Sequence, residues 1–193
     1  MRDALGDVLL TLARGAIASE FGHACPPVAH DALDRPGATF VTLMQDGDLR
    51  GCIGSLEPVQ ALRDDVWQNG RRAAFGDPRF PPVTAAELES LDVEVSLIGP
   101  SERIAAATEA ELIARLRPGT DGVILRYGRA RGTFLPQVWE ALPDAASFLR
   151  ELKRKAGLPG QFWHPDVEVW RYTVDKWTER ERALAVTGGA PNE

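Results

Sequence analysis

The sequence predicts an α+β fold with a largely antiparallel sheet flanked by helices. Segments with helical and with strand periodicity follow one another without the regular alternation that parallel α/β folds show. Hairpin signals recur, and the clearest is Asp46-Gly47 between two apolar runs, because a two-residue type I′ turn needs positive φ at both positions. The 193 residues, 44% of them hydrophobic, are enough for one domain, with or without a smaller lobe.

The N-terminal part begins with a helix and a loop. Leucine, valine and alanine recur at helical spacing over residues 3–20, and a proline-rich loop follows over 22–37. The hairpin "ATFVTLMQDGDLRGCIG" occupies residues 38–54. We then expect a helix that opens at Pro58 and ends near Gly76, a plausible C-terminal cap.

The central part predicts a short helix, a strand and a second short helix. Thr84 and Glu87 have the spacing of a capping box, which marks a helix start. Residues 92–98 alternate between polar and apolar side chains, as a half-buried strand does. Another short helix covers residues 109–116 and stops at the proline and glycine that follow.

The C-terminal part predicts two strands, a helix and a last strand. The strands cover 122–127 and 132–139, and Pro136 indicates that the second is an edge strand or ends there. Asp144 caps a helix that closes at Gly157. The last strand covers residues 166–174, and a disordered tail is expected over 185–193.

Charge and cysteine content limit the classes of function. The chain carries 22 Lys and Arg against 28 Asp and Glu, and a net charge of −6 argues against broad nucleic-acid binding. A cluster of cations on the predicted C-terminal helix forms either a local basic patch or a solvated helix face: Arg150, Lys153, Arg154 and Lys155. Two cysteines and no apolar run of membrane-spanning length predict a cytoplasmic protein.

The stretch LRGCIG, residues 49–54, raises the question of a site. A two-residue turn at Asp46-Gly47 would place Arg50 and Cys52 on one face, about 7 Å apart at Cα. A guanidinium can reach a thiol across that gap, and a nearby cation favours the reactive thiolate. Gly51 and Gly54 weaken a strand unless the backbone is closely approached or a bulge forms.

A structural interpretation of the same residues stands beside the functional one. A buried cysteine behaves as a small hydrophobe, and glycines in a hairpin can simply relieve crowding. If the next helix starts at Pro58, its free N–H groups could hold an anion near Gly54.

Five stretches match a known family in order: residues 39–58, 73–98, 118–125, 133–143 and 148–159. Among them are "TFVTLMQDGDLRGCIGSLEP", "AAFGDPRFPPV" and "TFLPQVWEALP". On these motifs the chain resembles the AMMECR-one domain family, called protein A of the AmmeMemoRadiSam system in bacteria. One departure is Gly70, where the family usually has alanine.

The resemblance implies two unequal lobes with a cleft between them, formed by one domain over residues 1–184. It brings no established reaction and no cofactor. Family members are encoded beside a Memo-like protein and a radical-SAM protein, which are therefore the expected partners. Relatives in animals have been assigned, by conjecture, to nuclear or translational processes.

Carried over residue by residue, the motifs name the candidate site. Cys52 is the candidate catalytic residue, and the candidate ligand- or partner-binding residues are Arg50, Gly51, Ile53, Gly54, Asp77, Arg79, Phe80 and Gln137. Asp77 before Pro78 can cap a turn, and Arg79 offers a bidentate donor to a carboxylate or phosphate, or pairs within the protein. Gln137 either points into the cleft or satisfies backbone groups.

The three histidines give weaker signals. His23, Cys25 and His30 match no closed zinc site and lack a fourth ligand, so no metal is expected. His164 is a surface residue or a base for Cys52.

Three hypotheses follow. The first is a binding protein that holds a small anionic ligand or a partner segment in a cleft at LRGCIG. The second is a cysteine-dependent enzyme in which Arg50 activates Cys52 and the backbone N–H groups of residues 51–55 stabilise charge. The third, an accessory protein of nucleic-acid or translation machinery, is the weakest because the net charge is acidic.

Overall fold

The computed structural model describes residues 2–182, with side chains from residue 4 onward, so the tail expected over 185–193 lies outside the described residues. The chain divides into two compact units, Met1–Ile98 with Asp175–Glu193, and Gly99–Val174. Whether these units are the two lobes of one domain stays a prediction.

The elements up to Ile98 belong to the first unit. In chain order they are α1 Arg2–Ala18, a 3-10 turn Ser19–Phe21, β1 Pro36–Gly37, β2 Thr39–Gln45, β3 Asp48–Gly54, β4 Gln60–Ala61, α2 Leu62–Phe75, a 3-10 turn Ala85–Glu87 and β5 Leu91–Ile98. The second unit continues with β6 Glu102–Arg103, α3 Glu109–Arg115, β7 Gly122–Tyr127, β8 Ala130–Phe134, α4 Val138–Ala141, α5 Ala145–Lys155 and β9 Glu168–Tyr172, after which β10 Val174–Thr178 returns to the first sheet.

The first unit is a four-stranded sheet with two helices on one face. The strand order is β10-β5-β2-β3, and β2 pairs antiparallel with both β3 and β5. Alternate residues of β2 and β5 meet apolar residues of α1 and α2 in one core, whose members include Leu9, Ile17, Val41, Leu43, Val66, Val93 and Val95. This alternation is the strand periodicity that the sequence showed.

The second unit is a separate four-stranded sheet with the order β6-β9-β7-β8, in which the strand pairs are antiparallel. Residues of α3, α4 and α5 pack on it around a second core that includes Leu112, Leu125, Trp139, Phe148 and Leu152. The Trp139 ring stacks on Phe148 with centroids 3.7 Å apart, and its indole N–H donates to the Asp121 carbonyl. The predicted α+β fold with antiparallel sheets is confirmed.

Several local predictions are confirmed. Asp46 and Gly47 both have positive φ, 53° and 92°, as the type I′ turn requires. Thr84 and Glu87 form the expected capping box, although the turn that follows is a short 3-10 helix. The Asp144 carboxylate accepts the Ser147 N–H at the start of α5, and β8 is an edge strand that ends before Pro136.

The predicted start of α2 at Pro58 is wrong. Residues 60–61 instead pair with β1, and the helix begins at Leu62. The preceding loop supplies the acceptors, because the N–H groups of Leu62 and Arg63 donate to the carbonyls of Arg35 and Leu33. The N–H groups of these two residues therefore have hydrogen-bond acceptors within the protein.

Two strand predictions are also corrected. The strand expected over 132–139 is shorter, because residues 138–141 form α4. The single last strand is in fact two, β9 and β10, which belong to different sheets. Between them the carbonyl of Thr173 accepts the N–H of Gly99 at 2.8 Å, so the chain leaves and re-enters the first unit at adjacent points. In the described chain no helix is long and apolar enough to cross a membrane.

The register of the β2–β3 hairpin differs from the simple one by a single residue. Gln45 pairs with Asp48 and Met44 with Leu49 as expected, but Leu43 then pairs with Gly51, and the bulge falls at Arg50. Gly51 faces α2 so closely that a Cβ atom there would overlap the carbonyl oxygen of Ala73. The close approach that glycine indicated is therefore made by the α2 backbone.

We expect Gly51→Ala to lower the free energy of unfolding by roughly 1–3 kcal/mol, because the new methyl group forces α2 away from the sheet. Gly76→Ala is the matched control, since the nearest atom to a Cβ there, the carbonyl oxygen of Arg72, is 3.3 Å away. Urea unfolding of both variants measures the difference. Equal free energies for the two variants would contradict the packing described for Gly51.

Candidate binding site at the LRGCIG strand

The LRGCIG residues form most of β3, which is the edge strand of the first sheet. The bulge at Arg50 sets their directions. Val41 pairs with Ile53, which contacts the core, whereas Thr42 pairs with Cys52 on the opposite face of the sheet. A regular two-residue hairpin, as the sequence predicts, would pair Cys52 with Val41. That pairing is wrong, because the bulge shifts every later residue of β3 by one position.

Arg50 does not turn toward Cys52 as predicted. Its guanidinium makes a bidentate pair with Glu87, at 2.8 and 3.3 Å, and donates to the carbonyls of Pro81 and Pro82. Only 12% of its side chain is exposed. The bulge and these four bonds explain why Arg50 leaves the strand alternation. Arg50 therefore fixes the loop of residues 81–87 to the hairpin.

Glu87 receives hydrogen bonds from two directions. Besides Arg50, the backbone N–H and the hydroxyl of Thr84 donate to its carboxylate, each at 2.8 Å. The bonds from Arg50, followed by those from Thr84, lower the pKa of Glu87 from an ordinary value of 4.5 to about 2. The capping carboxylate is thus ionised at all but strongly acidic pH.

The Asp77–Arg79 pair holds the outer edge of β3 at Cys52. The Asp77 carboxylate accepts the Cys52 N–H at 2.9 Å, and the Arg79 guanidinium donates to the Cys52 carbonyl at 3.2 Å. Arg79 also binds the Asp77 carboxylate through Nε and a terminal nitrogen, at 2.9 and 2.6 Å. The two side chains therefore complete the backbone hydrogen bonding of the edge, as a neighbouring strand would.

Asp77 and Arg79 differ in burial, and each shifts the pKa of the other. The Asp77 side chain is 2% exposed, whereas the Arg79 side chain is 54% exposed. Hydrogen bonds from Arg79 hold the pKa of Asp77 well below its usual range, against the opposing effect of burial, and the same pair raises the pKa of Arg79. The Arg79 guanidinium also lies 5.4 Å from the centre of the Phe80 ring.

The Cys52 thiol lies on the sheet face that points away from α1 and α2. It is half-buried, and the Thr42 hydroxyl donates to its sulfur at 3.3 Å. Nearby, a Cβ atom on Gly54 would overlap the Phe40 ring and approach the Thr39 carbonyl to 2.6 Å. Gly54 therefore lets the Phe40 ring cover the end of the strand.

A buried polar cluster that sequence reasoning missed lies at the other end of α2. The fully buried Asp65 carboxylate accepts hydrogen bonds from the Thr39 N–H and hydroxyl, the Ser55 hydroxyl and the Asn69 amide, at 2.5–2.9 Å. Gln60 adds a longer bond of 3.3 Å. The available signal was Asn69, a polar residue on the helix stripe shared by Leu62 and Val66.

The remaining predicted residues lie in other parts of the chain, and a role for Gln137 in the site stays a prediction. Gln137 is exposed at the start of α4, in the second unit. His164 is in that unit as well, and its Nδ1 accepts the N–H of Asp166. His30 Nδ1 accepts the Ala32 N–H, Cys25 packs against Gly15, and the described residues assemble no group of three metal ligands.

Comparison with known proteins places these features in a family. The AMMECR1 family model matches residues 10–177. The chain belongs to the AMMECR1 family. A protein of Methanothermobacter thermautotrophicus is 40% identical over 184 residues, which cover 90% of this chain and 94% of the relative. Protein MK0488 of Methanopyrus kandleri is 37% identical and is covered to 89%.

A solved structure shares the fold of this AMMECR1-family chain. It is the uncharacterised protein PH0010 from Pyrococcus horikoshii, with a TM-score of 0.80 and 34% sequence identity. The match covers 90% of this chain and 91% of the other. Family membership and fold are thereby shown, and the expected resemblance is confirmed.

We expect Glu87→Gln to reduce the free energy of unfolding at pH 7 by roughly 1–2 kcal/mol, because the variant loses the ion pair with Arg50. The effect is no larger because Glu87 is partly exposed and solvent screens the pair. A carboxyl with a lowered pKa stabilises the fold above its unfolded pKa, and that contribution is lost as the pH falls through about 2. The gap between wild type and variant should therefore narrow from pH 5 to pH 2.

Urea unfolding across this pH range measures the gap. Glu89→Gln removes an exposed carboxylate two residues away and serves as the control, with little change at any pH. A gap for Glu87→Gln that stays constant from pH 5 to pH 2 would show that ionisation of Glu87 does not contribute.

Proposed function

We propose that this AMMECR1-family protein is a binding protein that recognises a segment of a partner protein along the LRGCIG strand. The supporting observation is that the polar groups of the motif are already used inside the protein. Arg50 binds Glu87 and two carbonyls, while Asp77 and Arg79 hold the backbone of Cys52. Such saturation gives a rigid surface with a fixed shape.

A small anionic ligand, the other form of the binding hypothesis, is supported less well. Arg50 is nearly buried, and its charge is balanced by Glu87. The exposed Arg79 is balanced by a carboxylate buried beside it. An added anion would compete with both internal carboxylates.

The exposed apolar side chains favour a protein partner. In the described chain, the large hydrophobic residues that are exposed are Leu49, at 39%, and Val59, at 80%. Leu49 is the second residue of β3, and Val59 lies in the loop between β3 and β4. Leu49 to Ser55 alone spans about 20 Å of extended chain, which suits a partner segment better than a small molecule.

The first partners to test are the Memo-like and radical-SAM proteins that the family resemblance suggests. We expect Leu49→Ser and Val59→Ser each to weaken binding to the cognate partner about tenfold or more, because a polar side chain removes apolar contact. Biolayer interferometry with the purified partners from the same organism measures affinity.

Leu49→Met and Val59→Ile are the matched controls, since they keep an apolar side chain of similar size, and both should bind as wild type does. Arg129→Ala tests an exposed residue in the β7–β8 turn of the other unit and should also bind normally. Unchanged affinity in both serine variants, or no binding of wild type to either partner, would contradict the proposal.

Cysteine chemistry is the second candidate function. The favouring observation is the hydrogen bond from the Thr42 hydroxyl to the half-buried Cys52 sulfur, because such a donor stabilises negative charge on sulfur. Against it, the N–H groups of Cys52 and Ser55, two of the proposed charge-stabilising donors, already donate to Asp77 and Thr39.

If Cys52 performs chemistry, iodoacetamide should label it at least tenfold faster than Cys25 in the native protein, and Thr42→Val should slow the reaction. Mass spectrometry of the two peptides gives both rates in one sample, with Cys25 as the internal comparison. Equal rates, or labelling of Cys52 only after denaturation, would exclude a catalytic role for Cys52 and leave the binding function as the remaining proposal.

A further inference from the structure

Positive charge is concentrated in the second unit. Residues 99–174 contain eleven Lys and Arg against nine Asp and Glu, whereas the whole chain has a net charge of −6. Four of these eleven cations lie on α5 or at its end: Arg150, Lys153, Arg154 and Lys155. The sequence left open whether they form one basic patch, and the structure separates them into two groups.

Lys153 and Lys155 are engaged within the unit. Lys153 is fully buried, and its ammonium donates to Glu109 at 2.7 Å and to the Phe162 carbonyl at 3.1 Å. The Lys155 ammonium lies 5.1 Å from the centre of the Phe134 ring. Neither is therefore available as a member of a common patch.

Arg150 and Arg154 instead flank a cavity of about 370 Å³, whose other lining residues are Pro159, Gly160 and Gln161. Four residues apart on a helix, the two arginines share one face. Arg154 pairs with Glu151 at 2.5 Å. Arg150 has no carboxylate within ion-pair distance among the described residues, and its interaction with Asp144 acts over a longer range. Both charged residues that line the cavity are arginines, and the carboxylates of Glu151 and Asp144 are not among its lining residues.

The loop after α5 supplies further donors. Gly157 ends the helix with a φ of 85°, and the Phe162 N–H then closes a turn onto the Pro159 carbonyl at 2.9 Å. The N–H groups of Gly160 and Gln161, at the centre of that turn, take no acceptor from the part of the chain that the structure describes. Successive free N–H groups of a turn form an anion-binding concavity.

Gly160 brings the turn against the arginines. A Cβ atom on Gly160 would lie 2.8 Å from Cγ of Arg150 and 3.1 Å from Nε of Arg154. The first distance is shorter than real Cβ contacts and the second is tight, so the absence of a side chain lets the turn backbone lie beside both arginine side chains.

We propose that this cavity binds the phosphate group of a small phosphate monoester. Two guanidinium groups from α5 and two N–H groups from the turn can serve several oxygens of a tetrahedral dianion, and the Gln161 amide adds a donor. A planar carboxylate uses fewer of them. The cavity exceeds the size of a phosphate ion and leaves room for an organic part. The site is independent of the LRGCIG surface.

The test is ¹H–¹⁵N NMR of the intact protein titrated with glycerol 3-phosphate, inorganic phosphate and malonate. We expect the amide signals of Gly160 and Gln161 to shift on adding glycerol 3-phosphate, with saturation in the millimolar range or below. Arg150→Gln and Arg154→Gln should each weaken this binding about tenfold. Gly160→Ala should weaken it to the same extent, because the added methyl group would occupy the space between the turn and the two arginine side chains.

Lys155→Gln is the matched control, because it removes one positive charge from the same helix without touching the cavity, and it should change the affinity less than threefold. Inorganic phosphate that binds as tightly as glycerol 3-phosphate would support the site and identify free phosphate as its ligand. Absent shifts, equal binding of malonate, or unchanged affinity in both arginine variants would overturn the proposal.

Discussion

The carboxylate of Asp77 is the group on which the geometry of the LRGCIG strand depends. It is buried, yet ionised, because it receives the Cys52 N–H on one side and two nitrogens of Arg79 on the other. Removing either donor would leave a charge in a site with little water, which costs several kcal/mol in proteins. The edge of the sheet and the end of α2 are therefore held together by one ionised group.

A second carboxylate, that of Asp65, bonds the hairpin to the other end of α2. Asp65 meets the first residue of β2 and the residue that follows β3, through Thr39 and Ser55. Between the two carboxylates, Gly51 lets the helix backbone touch the strand. The hairpin is thus fixed to α2 at both ends and in the middle. A surface held in this way presents one conformation, which lowers the entropy that a binding partner must overcome.

The parts of the fold that could be predicted are those determined by neighbouring residues. The turn at Asp46-Gly47, the capping box of Glu87 and the Asp144 cap each depend on φ preferences or on side chains a few positions apart. The bulge at Arg50 could not be predicted, because Glu87, distant in sequence, provides its partner. The bulge changes the geometry of the site, because it pairs Cys52 with Thr42 and separates the Cys52 side chain from that of Arg50. The role of Asp65 was hidden for the same reason.

The connection between β5 and β10 has a consequence for how this chain folds. These strands are neighbours in one sheet, although the whole of Gly99–Val174 lies between them in sequence. Closing so long a loop in an unfolded chain carries an entropic cost that grows with its length. The Gly99–Thr173 hydrogen bond brings the ends of the loop together once residues 99–174 are folded. The intervening segment then acts like a short turn, and β10 can add to the sheet as the second strand of a hairpin would. In its topology the second unit is an insertion at a hairpin tip, a position where a chain tolerates extra sequence without altering the sheet that carries it.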